Sequence, residues 1–131
     1  MIALVVDDSR ATRTMLRSML ANLGFEVIEA GHGVEALERL DANREVDFAL
    51  VDWNMPQMDG LELVRSIRSE RRFAELPLMM VTAETDMTQM ARALMAGADE
   101  YALKPLDQES LVAKLRLLGI LTDPEQQTET T

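Results

Sequence analysis

Five short apolar runs recur along the chain: Ala3 to Val6, Phe25 to Ala30, Phe48 to Val51, Leu78 to Val81 and Tyr101 to Leu103. Each is followed by a segment whose apolar residues fall at helical spacing. After the first run come Met15, Leu16, Met19, Leu20 and Leu23, closed by Gly24; after the second, Val34, Leu37 and Leu40. Leu61, Leu63, Val64 and Ile67 follow the third and run into a polar stretch around Arg71 and Arg72. Thr85 to Ala96 follows the fourth, with Met87, Met90, Ala91, Leu94 and Met95 as its apolar set and Gly97 as its stop; Leu111, Val112, Leu115 and Leu118 follow the fifth. Parallel strands need crossover connections, and those connections put helices on the sheet's faces. The pattern therefore predicts an α/β fold, a (βα)5 doubly wound five-stranded parallel sheet.

The 131 residues suit a single domain. Its expected extent is residues 1–121, because Thr122 to Thr131 is polar, acidic and without apolar periodicity, which predicts a disordered tail. There are no cysteines, so disulfides, zinc-thiolate sites and thiol nucleophiles are excluded, and a reducing cytoplasm is the expected setting. The opening Met1-Ile-Ala-Leu-Val-Val-Asp7 lacks a basic n-region and meets acid after a short apolar run, so it reads neither as a signal peptide nor as a membrane span. A net charge of -10 disfavours nucleic acid, whose phosphates require clustered Lys and Arg. The single His32 reads as a loop residue with no catalytic part.

Four of the five runs end in a polar residue of a different kind: Asp7 and Asp8, Asp52, Thr82, and Lys104. All share one edge of the sheet, the edge where ligands bind in open α/β folds, and they converge wherever strands one, three, four and five are neighbours. Adjacent carboxylates repel unless a cation lies near. A hard divalent ion such as Mg²⁺ resolves this, since it takes oxygen ligands and keeps several waters. Asp52 is then a third ligand, a nucleophile toward a phosphoryl group, or both, with Lys104 and the Thr82 hydroxyl available to stabilise the transferring charge. Taken singly, each residue also has a purely structural reading. Asp7, Asp8 and Ser9 suit a helix cap, Asp52 an Asx-turn, Thr82 a cap for helix four and Lys104 a solvated surface charge. Capping does not explain why an acid pair, a single acid, a hydroxyl and a lysine occupy four strand ends.

Together, Val5-Val-Asp-Asp-Ser9, Val51-Asp-Trp-Asn-Met-Pro-Gln-Met-Asp-Gly60, Val81-Thr-Ala-Glu84 and Tyr101-Ala-Leu-Lys-Pro105 resemble the receiver domain of bacterial two-component response regulators, from Ile2 to about Leu118. Within that family the segment from Asp52 to Leu63 is most similar to the single-domain chemotaxis regulators. The resemblance implies a flavodoxin-like strand order of 2-1-3-4-5. It implies that Asp52 accepts phosphate from a histidine kinase or histidine phosphotransfer domain, that Asp7, Asp8, Asp52 and the Asn54 backbone carbonyl hold one Mg²⁺, and that Lys104 and Thr82 act at the phosphoryl group. Tyr101 matches the switch aromatic of the face formed by helix four, strand five and helix five. Asn54 and Glu84 match positions that tune hydrolysis, and the Lys104-Pro105 peptide is implied to be cis. The implied protein is a monomer and not an enzyme, with a flagellar motor switch protein as output partner and a phosphatase as a further one.

The methionines of helix four read as core filler, and the adjoining face is acidic at Asp99, Glu100, Asp107 and Glu109. Two other readings share the phosphoacceptor site: a phosphorelay intermediate and a phosphate sink. A Mg²⁺-dependent phosphohydrolase is disfavoured because Asn54 stands where such a nucleophile's partner acid belongs, and no cap domain is inserted. A flavodoxin-like cofactor binder is disfavoured because Asp7-Asp8-Ser9 presents acid where a phosphate needs free backbone amides.

Overall fold

The computed structural model describes residues 1–43 and 45–122. The predicted tail lies, beyond Thr122, outside the described residues. Strands β1 (Ile2–Val6), β2 (Glu26–Ala30), β3 (Phe48–Val51), β4 (Leu78–Thr82) and β5 (Glu100–Leu103) pair in parallel in the order β2-β1-β3-β4-β5. Helices α1 (Arg10–Asn22), α2 (Gly33–Ala42), α3 (Gly60–Arg68), α4 (Met87–Ala96) and α5 (Gln108–Leu117) follow the strands in turn. The fold class and strand order are those the sequence and its resemblance predict.

Because side chains alternate across a strand, the apolar runs divide between two cores. Ala3, Val5, Phe48, Leu50, Met79 and Val81 pack with Leu16 and Leu20 of α1 and Leu111 and Leu115 of α5. Leu4, Val6, Ala49, Val51, Leu78 and Met80 pack on the other face with residues of α2, α3 and α4. Burial on both faces is why these strands read as continuous apolar runs rather than alternating ones.

The same alternation aims the polar strand ends. The ladder continues one residue past the strands, with the Asp52 amide donating to Val6 O (2.9 Å) and the Lys104 amide to Thr82 O (2.9 Å). Asp7, Asp52 and Lys104 share the parity of Val5, Leu50 and Ala102. All three therefore emerge toward the α1 and α5 side, Asp7 and Asp52 from the neighbouring strands β1 and β3 and Lys104 from β5, across β4.

Some elements differ from their sequence reading. Helix α4 begins at Met87 rather than Thr85, because Asp86 is the N-cap and its carboxylate accepts from the Thr88 amide (2.8 Å). The polar stretch after α3 holds a short 3-10 turn, Arg71–Phe73, that buries Phe73. Phe25 precedes β2 yet packs edge-on against Phe48, with ring centroids 5.2 Å apart. The methionines of α4 are not core filler as a group. Met87 and Met95 are 81% and 88% exposed, since Ala93, partly buried Met90 and Ala96 form the inward face. No helix among the described residues is long and apolar enough to cross a membrane.

Candidate functional site

The acid pair divides its labour. Capping of α1 falls to Ser9, whose hydroxyl accepts from the Thr12 amide (3.2 Å), and this leaves the aspartates for the cleft. Asp7 is 1% exposed and held at every polar atom. Its amide donates to Ala30 O (3.1 Å), Oδ1 accepts from the Ser9 amide (2.8 Å), Oδ2 accepts from Lys104 Nζ (2.7 Å), and its carbonyl accepts from Arg13 Nη1 (2.6 Å). Asp8 is exposed beside it.

Asp52, 5% exposed, follows β3 with Oδ2 3.4 Å from Lys104 Nζ. Lys104 is therefore an ion-paired residue of the cleft rather than a solvated surface charge. Thr82 is fully buried. Its hydroxyl oxygen accepts from the Glu84 amide (3.3 Å). It does not cap α4. Carboxylate oxygens of Asp7, Asp8 and Asp52 lie within 4.8 Å of one another.

Burial is the largest influence on Asp52 and pushes its pKa up; the charge of Asp7 adds to this, while Lys104 and the nearby Thr82 hydroxyl work against it. Burial works against the Lys104 ammonium, but its hydrogen bond to Asp7 and the charge of Asp52 outweigh that and raise its pKa. Three carboxylates against one ammonium leave two negative charges uncompensated. An all-oxygen donor set with that excess suits a hard divalent cation, so the acidic cluster can hold a metal ion.

The loop from β3 to α3 is tightly built. Gly60 donates its amide to Trp53 O (2.8 Å), and its Cα lies so near β3 that a Cβ there would fall 2.3 Å from Asp52 O. Gln57 takes the left-handed conformation, with φ at 68°. Asn54 is exposed in this loop and Trp53 is buried. The Lys104-Pro105 peptide is cis.

Tyr101 and Glu84 contact each other. The Tyr101 ring is buried, and its hydroxyl donates to Glu84 O (2.8 Å). Burial, then the charges of Glu84 and Asp52, push the phenol's pKa up. The Glu84 carboxylate accepts from the Asp86 amide (2.9 Å). His32, read as a loop residue, is the N-cap of α2, where Nδ1 accepts from the Glu35 amide (3.2 Å).

Sequence reasoning passed over Arg13, because a lone arginine on an amphipathic helix reads as surface. It also passed over Arg68, whose guanidinium donates to Gly97 O (2.9 Å), Phe73 O (2.7 Å) and Asp99 Oδ2 (2.9 Å) and so ties α3 to the far end of α4.

Comparison with known proteins places this geometry. The profile of the response regulator receiver domain matches residues 3–116. Chemotaxis protein CheY1 of Helicobacter pylori is 46% identical over 116 residues, spanning 88% of this chain and 94% of the relative. A chemotaxis protein CheY homolog of Campylobacter jejuni is 43% identical over 113 residues, 86% of this chain and 87% of the relative. Among solved structures, Vibrio cholerae chemotaxis protein CheY4 superposes with a TM-score of 0.84 at 32% identity, covering 89% of this chain and 97% of that one. A CheY-like receiver domain protein from Methanospirillum hungatei gives 0.81 at 30% identity over 98% and 97% of the two chains. With the five strand-end residues drawn into one cleft, the profile match and these identities establish that the chain belongs to the response regulator receiver domain family.

Proposed function

We propose that this receiver is a phosphorylation-switched signalling module of the chemotaxis type, with Asp52 as phosphoacceptor. The observation that carries the proposal is the position of Asp52: buried, with Lys104 Nζ at 3.4 Å and two further carboxylates within reach of a shared cation. One Asp52 carboxylate oxygen attacks the phosphorus of a phosphohistidine on a kinase or phosphotransfer domain. The new O–P bond forms as the N–P bond breaks, and the leaving imidazole takes up a proton. Water later attacks the phosphorus, the Asp52 O–P bond breaks, inorganic phosphate leaves and the carboxylate is restored. The protein is thus an acceptor that assists its own turnover, not an enzyme acting on an outside substrate.

Asp7, Asp8, Asp52 and the Asn54 carbonyl would hold Mg²⁺, which when bound supplies positive charge to the transferring oxygens. Lys104 shifts from the carboxylate pair to an incoming phosphoryl oxygen, and the Thr82 hydroxyl donates to another. Asn54 and Glu84 flank the approach of the hydrolytic water. Because Thr82 ends β4 and the Glu84 carbonyl is held by Tyr101, a pull on Thr82 is felt by the loop into α4. Tyr101 also lines, with Met90, Leu103, Leu106 and Lys114, a cleft of about 350 Å³, where an output protein docks.

We assign a cytoplasmic setting and a flagellar switch protein as that output, in keeping with the chemotaxis names of the relatives; the domain we assign is residues 1–121. A phosphatase is a further partner of the same family type. Incubation with acetyl phosphate and Mg²⁺, with the site mapped by mass spectrometry, tests the acceptor. Label on Asp52 supports it, and label elsewhere or in Asp52→Ala overturns it. Capture of the flagellar switch protein by the beryllofluoride-loaded form, and not by the free form, tests the output.

A further inference from the structure

The receiver site places Asp8 in an unusual position. Asp7 is fixed by four hydrogen bonds, whereas the Asp8 carboxylate is exposed. What orients Asp8 is therefore the plane of the Asp7–Asp8 peptide, and the oxygen of that peptide is the one Arg13 Nη1 holds at 2.6 Å. Arg13 is itself seated: its Nε donates to Glu29 Oε1 (3.1 Å) on β2, and its side chain is only 18% exposed. Glu29 also receives Arg17. Two arginines on α1 thus converge on one carboxylate of β2, and one of them reaches past it to the end of β1.

We infer that Arg13, seated by Glu29, is the positioning residue of the acid pair: it sets the Asp7–Asp8 peptide so that both carboxylates face one cation. This rests on the reading of Asp7 and Asp8 as metal ligands. Charge alone gives the opposite expectation. A guanidinium near a cation site repels the cation, so removing it would tighten metal binding. The held carbonyl says that removing it loosens metal binding, because partners behind a ligand shell fix the ligands' orientation. The sign of the effect separates the two accounts.

The experiment is titration of the full chain with Mg²⁺ alone, read by Trp53 fluorescence, for wild type, Arg13→Met, Glu29→Gln and Asp8→Asn, with thermal melts alongside. Arg13→Met weakens Mg²⁺ binding about 10-fold, and Glu29→Gln weakens it in the same direction by less. In an Asp8→Asn background Arg13→Met adds little, because the ligand it positions is gone. For Glu29→Gln, labelling of Asp52 at saturating Mg²⁺ stays near wild type, so the loss lies in metal affinity rather than in phosphoryl transfer. Unchanged or tighter Mg²⁺ binding by folded Arg13→Met overturns the inference while leaving the site reading intact. Should Arg13→Met not fold, Glu29→Gln decides by the same sign. Absence of any Mg²⁺ response in the wild type overturns the site reading and this inference with it.

Discussion

Gly60→Ala sets a local preference against a tertiary contact. Gly60 is the first residue of α3, and replacing a helical glycine by alanine ordinarily stabilises a protein by about 0.4–1 kcal/mol. Here the added methyl would lie 2.3 Å from Asp52 O, 2.9 Å from Asp52 C and 2.9 Å from Met80 Cε. The first contact is more than 1 Å inside ordinary van der Waals distance, which begins near 3.4 Å. The obstructing atoms are mostly backbone of a central strand, so rotamer changes cannot relieve them. Overpacking of a close-packed interior costs about 1–3 kcal/mol, and an obstruction made of backbone places this one at the upper end. The net expectation is destabilisation by about 2 kcal/mol. In urea titrations this lowers the midpoint by about 1 M. Relief of the clash moves Asp52 itself, so acetyl phosphate labelling slows as well. A Gly60→Ala protein as stable as wild type with unchanged labelling would refute the reasoning.

In metal-free buffer Asp52→Asn should stabilise the fold at neutral pH. Asp52 sits above the usual 3.8 through burial and the charge of Asp7, so its contribution to stability is fully present below about that value and is lost as pH rises through its folded value. The gain therefore shrinks on acidification, and urea curves showing the same gain at every pH would contradict this. Lys104→Met removes the ammonium at 2.7 Å from Asp7 and 3.4 Å from Asp52 and should slow labelling by about 100-fold; labelling at the wild-type rate would count against a role at the phosphoryl group. Tyr101→Phe loses the 2.8 Å bond to Glu84 O and should cost about 1 kcal/mol in thermal melts. No loss would mean that this hydroxyl does not anchor the loop.

How far these features were legible in the sequence depends on the range of the forces behind them. Buried strands such as Phe48–Val51 announce themselves because both faces of a parallel sheet are covered. The cleft could be anticipated because crossovers put Asp7, Asp52, Thr82 and Lys104 on one sheet edge whatever the details. The start of α4 was misjudged by two residues because both Thr85 and Asp86 are capping types, and choosing between them requires the loop path. Met87 and Met95 were misread because periodicity gives a helix without saying which stripe meets the sheet. Arg13 and Arg68 were invisible for another reason. Their partners are backbone carbonyls and acids on other elements, and no local pattern marks a side chain that will fold back onto distant backbone.

The bond from Lys104 to Asp7 joins residues 97 positions apart, so the site closes late along the chain. A ribosome must deliver β5 before the acid that follows β1 meets its cation. Until then Asp52 lacks the ammonium that would greet an incoming phosphoryl group. A nascent chain that has not yet delivered β5 is thus a slow acceptor, and the site comes into force only once the strands bearing Asp7, Asp52 and Lys104 are all in place.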